Sequence, residues 1–224
     1  MNTDKLRKSL AASLLGFEKE PMDSFYSHPL LGFYSRYRVR TVLKELGDVK
    51  GKRVVDVGCE AGYVSFELMR RGAQTISFDP CVSPLLKFKE KIGTGRYKNF
   101  IGLFQALAHA MPLKDETADF IVCTEVIQLT PYLDIIFSEF HRILKPGGRL
   151  VLTFPMEPHK KKFYPIAERL GLEVEYQKEL TPYHYTLRDV RRACRDKLKV
   201  VKAYNLPISL FPLTALLVCL KNKA

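Results

Sequence analysis

The chain has 224 residues, 46% hydrophobic and 27% charged, which is enough apolar material for a substantial core and falls within the usual span of one domain. With 36 Lys and Arg against 24 Asp and Glu the formal charge is +12, so the surface is not acidic and should attract anions such as nucleic acid, anionic lipid or a phosphorylated metabolite. Cys59, Cys81, Cys123, Cys194 and Cys219 are odd in number, scattered and without CxxC spacing, which argues against a disulfide framework or a metal or redox motif and for buried free thiols in a reducing compartment.

In chain order, Lys5, Arg7 and Lys8 stand before a short apolar stretch at 10–15, but Glu18 and Glu20 follow without a convincing cleavage site. Secretion is therefore not expected and the chain reads as cytoplasmic, with a basic, Ser/Ala/Leu-rich presequence as the competing reading. The aromatics Phe25, Tyr26, Phe33, Tyr34 and Tyr37 surround the start of a helix predicted over 35–46, where Val39, Val42, Leu43 and Leu46 recur at helical spacing before Gly47. A buried strand at 53–57 leads into a glycine turn. A helix over 63–71 stopped by Gly72, a strand at 75–78, a short helix near 84–91 and a strand near 100–103 follow.

After a strand at 119–124, Thr130 as N-cap and Pro131 at the first helical position open a helix carrying Leu133, Ile136, Phe137, Phe140 and Leu144, which ends at Pro146-Gly147-Gly148. A strand at 149–154 comes next. An irregular stretch, 155–186, gives way at a capping box of Thr186 and Asp189 to a helix reaching about 197. Two strands, 199–204 and 214–220, can then close the sheet as a hairpin. The run 206–220 is almost continuously apolar, yet Pro207 and Pro212 interrupt it and a spanning helix needs about 20 residues, so no transmembrane segment is expected. Strands alternating with helices predict a single α/β domain over 1–224, a doubly wound, mainly parallel sheet with helices on both faces and a ligand crevice at the strands' carboxyl ends.

The segment Val54-Val55-Asp56-Val57-Gly58-Cys59-Glu60-Ala61-Gly62-Tyr63 runs from a buried strand through an Asp-x-Gly-x-x-x-Gly turn into a helix. Gly58 and Gly62, lacking Cβ, let the backbone approach a ligand closely. Such a turn is a weak nucleotide signal alone, but Asp79 ends the next strand, where a carboxylate accepts both hydroxyls of a ribose.

With Met111-Pro112-Leu113 through Asp119-Phe120-Ile121-Val122, and Arg142-Ile143-Leu144-Lys145-Pro146-Gly147-Gly148, these landmarks stand in the order found in the class I S-adenosylmethionine-dependent methyltransferases. From about Arg53 to Phe154 the chain resembles that family, particularly its small-molecule branch. The resemblance implies a seven-stranded sheet with an antiparallel last strand and S-adenosyl-L-methionine as cofactor. It also implies cofactor-binding positions at Asp56, Gly58, Cys59, Gly62, Asp79, Pro80, Ala108 and Thr124, with the Gly58 to Gly62 turn facing the methionine moiety and Asp79 the ribose. On this reading 1–47 is a helical lead, 53–154 the cofactor-binding core, 155–186 an acceptor-side insertion and 187–224 a C-terminal helix and strand pair. Two positions depart from the family pattern: Glu60 stands where glycine is common, and Leu107 and Ala108 stand where an acidic residue usually binds the adenine amino group.

Methyl transfer from a sulfonium needs mainly alignment, so a base is required only for acceptors that must lose a proton. His184, between Tyr183 and Tyr185, is the candidate, with Glu125 and Gln128 at the end of the fourth strand as alternatives; His28, His109, His141 and His159 carry no better signal, and no metal-ligand spacing appears. Phe163 and Tyr164 are candidate apolar walls. In the last helix Arg188, Arg191, Arg192, Arg195 and Lys199 share one face, and Lys160 to Lys162 and Lys87 to Lys98 add basic clusters, so an anionic partner is expected. The favoured acceptor is a small or lipid-like molecule; RNA, or a non-catalytic role in binding the cofactor, are the alternatives.

Overall fold

A computed structural model of the chain describes residues 29–93, 97–156, 165, 169, 182–208 and 211–223. The basic N-terminal stretch weighed as a presequence, Phe25, Tyr26, Lys160 to Lys162, Phe163, Tyr164 and most of the 155–186 stretch lie outside the described residues. Seven strands, β1 (Arg53–Val57), β2 (Gln74–Asp79), β3 (Phe100–Gln105), β4 (Ala118–Thr124), β5 (Leu144–Pro155), β6 (Lys199–Ile208) and β7 (Phe211–Leu220), form one sheet in the order β3-β2-β1-β4-β5-β7-β6. All pairings among β1 to β5 are parallel, whereas β7 is antiparallel to both β5 and β6. β7 therefore wedges between β5 and the edge strand β6.

The helices α1 (Pro29–Leu46), α2 (Tyr63–Arg70), α3 (Val82–Ile92), α4 (Leu133–Ile143) and α5 (Leu187–Cys194) cover the two faces. On one face Val55, Ile121, Leu152 and Leu217 pack with Ile136, Phe137 and Phe140 of α4 and Val190 and Cys194 of α5. On the other, Val54, Val122, Val151 and Leu216 pack with Val39, Val42 and Leu43 of α1 and Leu68 of α2. Burial on both faces is why β1, β4 and β5 read as continuous apolar runs. Arg149, inside β5, donates to the terminal carbonyls of α1, Glu45 O at 2.6 Å and Leu46 O at 3.1 Å, so the helix end is capped by the sheet. All five cysteines are buried free thiols, and among the described residues no helix is long and apolar enough to cross a membrane.

Several boundaries differ from the sequence reading: α1 begins at Pro29 rather than near 35, α5 ends at Cys194 rather than near 197, β7 begins at Phe211 rather than 214, and both ends of α4 shift. α4 starts at Leu133 with Tyr132 as its N-cap, because a single 3-10 turn, Ile127–Leu129, occupies the approach and Thr130 Oγ1 accepts from Tyr132 N at 3.3 Å instead of capping a helix turn. Strand pairing resumes at Leu144, opposite Ala118, so the Pro146-Gly147-Gly148 turn lies inside β5 as an irregularity rather than ahead of it.

Arg142 explains why that turn region is specific in sequence. Its guanidinium donates to Met111 O, Leu113 O, Asp115 Oδ1 and both oxygens of Glu139, while Glu139 also accepts from Met111 N at 2.9 Å. These bonds fasten the loop before β4 to α4. A lysine cannot span that fan of acceptors. Arg142→Lys should lower unfolding stability by about 2–3 kcal/mol, seen as a shifted urea midpoint with unchanged slope; an unshifted midpoint would remove Arg142 from the fold's main ties.

Candidate functional site

Strand order reverses between β1 and β4, and the crevice at their carboxyl ends is the topological switch point of the sheet. The turn after β1 is built there from backbone. Gly58 N and Cys59 N both donate to Phe78 O, at 2.8 and 2.9 Å, and Gly62 N donates to Cys59 O at 2.8 Å. Gly58 and Gly62 have φ of 72° and 89°. The room left by their missing Cβ atoms is filled by the protein itself: a Cβ at Gly58 would lie 2.1 Å from Val126 Cγ2, and one at Gly62 would lie 2.7 Å from the Phe88 ring. Internal packing thus demands these glycines, in addition to any ligand contact. Glu60, between them, has φ 48°, the left-handed conformation that glycine adopts without strain.

Asp79 closes β2 and ties the turn to the next helix. Its Oδ2 accepts from Glu60 N at 3.0 Å and its Oδ1 from Cys81 N at 2.9 Å. Ala106 N donates to Asp79 O at 3.2 Å, and the Gln105 amide donates to Pro80 O at 3.0 Å, which brings the end of β3 alongside. Leu107 and Ala108 follow, and Ala110 N closes a turn on Leu107 O at 3.0 Å.

Asp56 lies beneath the turn, fully buried. Ser65 of α2 donates to its Oδ2 at 2.5 Å and lies 2.8 Å from the hydroxyl of Ser77, the residue in register with Asp56 on β2. Its Oδ1 has no hydrogen-bond partner. Burial, against the opposing Ser65 bond and reinforced by Asp79, pushes Asp56 up to about 7. Burial, with Asp56 and Asp79 next, also holds the Cys59 thiol well above its usual range. Sequence reasoning missed Ser65 and Ser77; a small hydroxyl inside the apolar Gln74–Asp79 strand was the available signal.

At the end of β4, Thr124 is half-buried and Glu125 takes φ 57°. Glu125 N donates to Thr153 O at 2.9 Å and Gln128 Nε2 donates to Glu125 O at 2.7 Å. The Glu125 carboxylate lies 3.6 Å from the Arg38 guanidinium of α1, with side-chain exposures of 17% and 11%. Burial, then the charge of Glu125, pushes the Tyr34 hydroxyl up to about 12, with Thr214 of β7 on its other side. The segment before α5 reaches the same edge: Tyr183 N donates to Gln128 O at 3.2 Å and Tyr185 Oη to Thr130 O at 2.6 Å. Tyr183 and Tyr185 stack with centroids 6.3 Å apart, and His184 between them is exposed. The predicted capping box is present, with Thr186 and Asp189 bonded both ways.

Asp56, Gly58, Cys59, Gly62, Asp79, Pro80, Ala108 and Thr124 thus lie on β1, β2, β4, the turns that follow β1 and β2 and the loop after β3, all at the sheet's carboxyl edge. Among the described residues no three His, Cys, Asp or Glu side chains gather to hold a metal ion.

Comparison with known proteins agrees with this architecture. The family described as "Methyltransferase domain" matches residues 55–152. Malonyl-[acyl-carrier protein] O-methyltransferase of Hamiltonella defensa is 29% identical over 163 residues, 66% of this chain and 58% of that protein. Ubiquinone biosynthesis O-methyltransferase of Vibrio cholerae serotype O1 is 30% identical over 118 residues, 52% of this chain and 47% of that protein. The chain therefore spans about half the length of these relatives. Geranyl diphosphate C-methyltransferase from Streptomyces coelicolor, solved with Mg2+, geranyl diphosphate and S-adenosyl-L-homocysteine, superposes with a TM-score of 0.73 at 14% identity, covering 96% of this chain and 98% of that one.

The buried carboxyl makes stability depend on pH. Folding raises Asp56 from an ordinary carboxyl value near 4 to about 7, so its contribution is full below about 4 and is lost as pH rises through 7. Asp56→Asn keeps a neutral side chain of the same shape. It should exceed the wild type in stability at pH 8 by on the order of 2–4 kcal/mol, and the difference should vanish toward pH 4, as measured by urea unfolding across pH. A variant less stable than wild type at pH 8 would show that Asp56 is held ionised.

Proposed function

We propose that this chain, a class I methyltransferase by fold with its methyltransferase domain at residues 55–152, transfers the methyl group of S-adenosyl-L-methionine to a small-molecule or lipid-like acceptor. The observation that carries this reading is Asp79. Its carboxylate accepts the backbone N–H groups of Glu60 and Cys81, which fixes the group's orientation at the carboxyl end of β2, where a carboxylate can accept ribose hydroxyls. The donor set fits the cofactor: a carboxylate closing β2, an orphaned buried oxygen on Asp56 beneath the turn, and a partly buried apolar lining at Ala106 and Ala108. The methyltransferase names of the relatives support the reaction class.

In this assignment Asp79 holds the ribose. The turn at Gly58, Cys59 and Gly62, with Asp56 behind it, faces the methionine moiety. Pro80 and Ala108 flank the adenine, whose amino group is left to main-chain groups around Leu107, and Thr124 lines the passage toward the acceptor. When bound, the cofactor supplies an activated sulfonium methyl. The chain's own contribution is to align the acceptor, exclude water and take up a proton where the acceptor carries one. His184, on the segment tied to Gln128 and Thr130, is the proposed group for that proton; His184→Ala should depress turnover at neutral pH while cofactor affinity stays unchanged.

Arg188, Arg191, Arg192 and Arg195 of α5 and its extension are all exposed, which supports an anionic partner and keeps RNA as the competing acceptor. Tight filter binding of tRNA with a steep salt dependence would favour that reading.

Calorimetry with S-adenosylmethionine and S-adenosylhomocysteine tests the proposal directly. Binding of both should be seen, and Asp79→Ala should weaken it by about 2–4 kcal/mol. Absence of binding at millimolar concentration, or unchanged affinity in the variant, would overturn the assignment.

A further inference from the structure

The acceptor end of the crevice has an electrostatic composition unlike that of the surface. Four elements meet there: the first turns of α1 bring Tyr34 and Arg38, the loop after β4 brings Glu125 and Gln128, β5 brings Thr153, and β7 brings Thr214. The neighbouring segment adds the stacked rings of Tyr183 and Tyr185. In a chain of formal charge +12, the described residues here set the Arg38 guanidinium against the Glu125 carboxylate. Glu125 is the group under constraint. A non-glycine residue is held at φ 57° by the bonds of its own N–H and carbonyl to Thr153 and Gln128, a placement that commonly marks functional positions. Its Oε1 has no hydrogen-bond donor, since Arg38 stops at 3.6 Å, beyond hydrogen-bond range. The next residue, Val126, packs directly on Gly58 of the turn, so Glu125 adjoins the methionine end of the proposed cofactor site.

We infer that the acceptor presents to this site an uncharged hydroxyl on an apolar, aromatic-sized body, not a carboxylate, and that Glu125 is the specificity-determining residue that receives the hydroxyl. The inference rests on the cofactor assignment above. A hydroxyl supplies the donor that Glu125 Oε1 lacks, and a bond to an ionised acceptor is stronger than one between neutral groups. An incoming carboxylate would meet Glu125 as a like charge, and the guanidinium that could offset it, Arg38, already faces Glu125. Half-buried Tyr183 and Tyr185 offer flat apolar walls for the rest of the molecule. The basic exterior attracts anions; the crevice selects against them.

The test uses 4-ethylphenol and 4-ethylbenzoate, matched in size, titrated by saturation-transfer NMR against the full chain saturated with S-adenosylhomocysteine. In the wild type the phenol should bind at least tenfold more tightly than the benzoate. Glu125→Gln should reverse the ranking, weakening the phenol several-fold and strengthening the benzoate as Arg38 loses its counter-charge, while affinity for S-adenosylhomocysteine stays within twofold. A purely structural role for Glu125 would weaken both probes together and would overturn the inference. So would preferential binding of the benzoate to the wild type, or no binding of the phenol. Because cofactor-product binding is measured in the same samples, failure of S-adenosylhomocysteine to bind would locate the fault in the cofactor assignment instead.

Discussion

A parallel strand that ends inside a crevice leaves backbone N–H groups of the adjoining turns pointing inward, and each must find an acceptor. Asp79 meets that demand for two neighbours at once. Its carboxylate takes the N–H of Glu60 from the turn after β1 and the N–H of Cys81 ahead of α3, while its carbonyl takes the N–H of Ala106 at the end of β3. One residue thereby sets the spacing of three chain segments. Below the turn, Asp56 is pushed upward chiefly by its full burial, against the Ser65 bond, and the neighbouring Asp79 adds to that push. Asp79 is held by backbone donors at the end of β2, whereas Asp56 is held from α2 by Ser65, whose hydroxyl also bonds that of Ser77.

The βα alternation was legible because each strand is a short buried run bounded by turn residues and each helix shows its own apolar spacing. The position of β7 was not. A hairpin at the end of the chain could be read, but which of its strands joins β5 depends on tertiary packing. A signal existed in composition: Leu216, Leu217, Val218 and Cys219 are apolar without interruption and are buried on both faces, whereas Lys199, Val201 and Lys202 of β6 are exposed, as suits an edge strand. Likewise Asp79 stood out from its place at a strand end, but the contact of Val126 with Gly58 joins residues far apart in sequence and had no local signature. The helix cap expected at Thr130 failed for a similar reason: the 3-10 turn at Ile127–Leu129 is fixed by Gln128 and the Tyr183 segment, not by the residues that normally signal a helix start.

Net charge and site charge give different answers here, and they answer different questions. The exposed arginines of α5 set the long-range field, which governs encounter and falls off within about 8–10 Å at physiological salt. The carboxyl edge of the sheet instead brings Asp79 to the turn at Glu60 and sets Glu125 against Arg38, so the field inside the crevice is not an extension of the field outside. A partner drawn to the basic face and a molecule taken into the crevice can therefore differ in chemistry.

The two departures from the family pattern act on different parts of that crevice. At Glu60 the backbone is left-handed just as a glycine would allow, and the N–H that this conformation presents is bonded to Asp79. The left-handed conformation costs about 1–2 kcal/mol for a residue with Cβ, and the bond from its backbone N–H to Asp79 is one that a glycine would make as well. Leu107 differs in kind, because an alkyl group stands where the resemblance implies a carboxylate, which leaves the adenine amino group to main-chain acceptors. Under the proposed assignment the base is then recognised by shape, by apolar contact and by the backbone of the turn that Ala110 closes on Leu107. Affinity for the nucleoside therefore depends chiefly on Asp79 and the ribose. That concentration of binding falls on a carboxylate that backbone donors from two turns already hold in place.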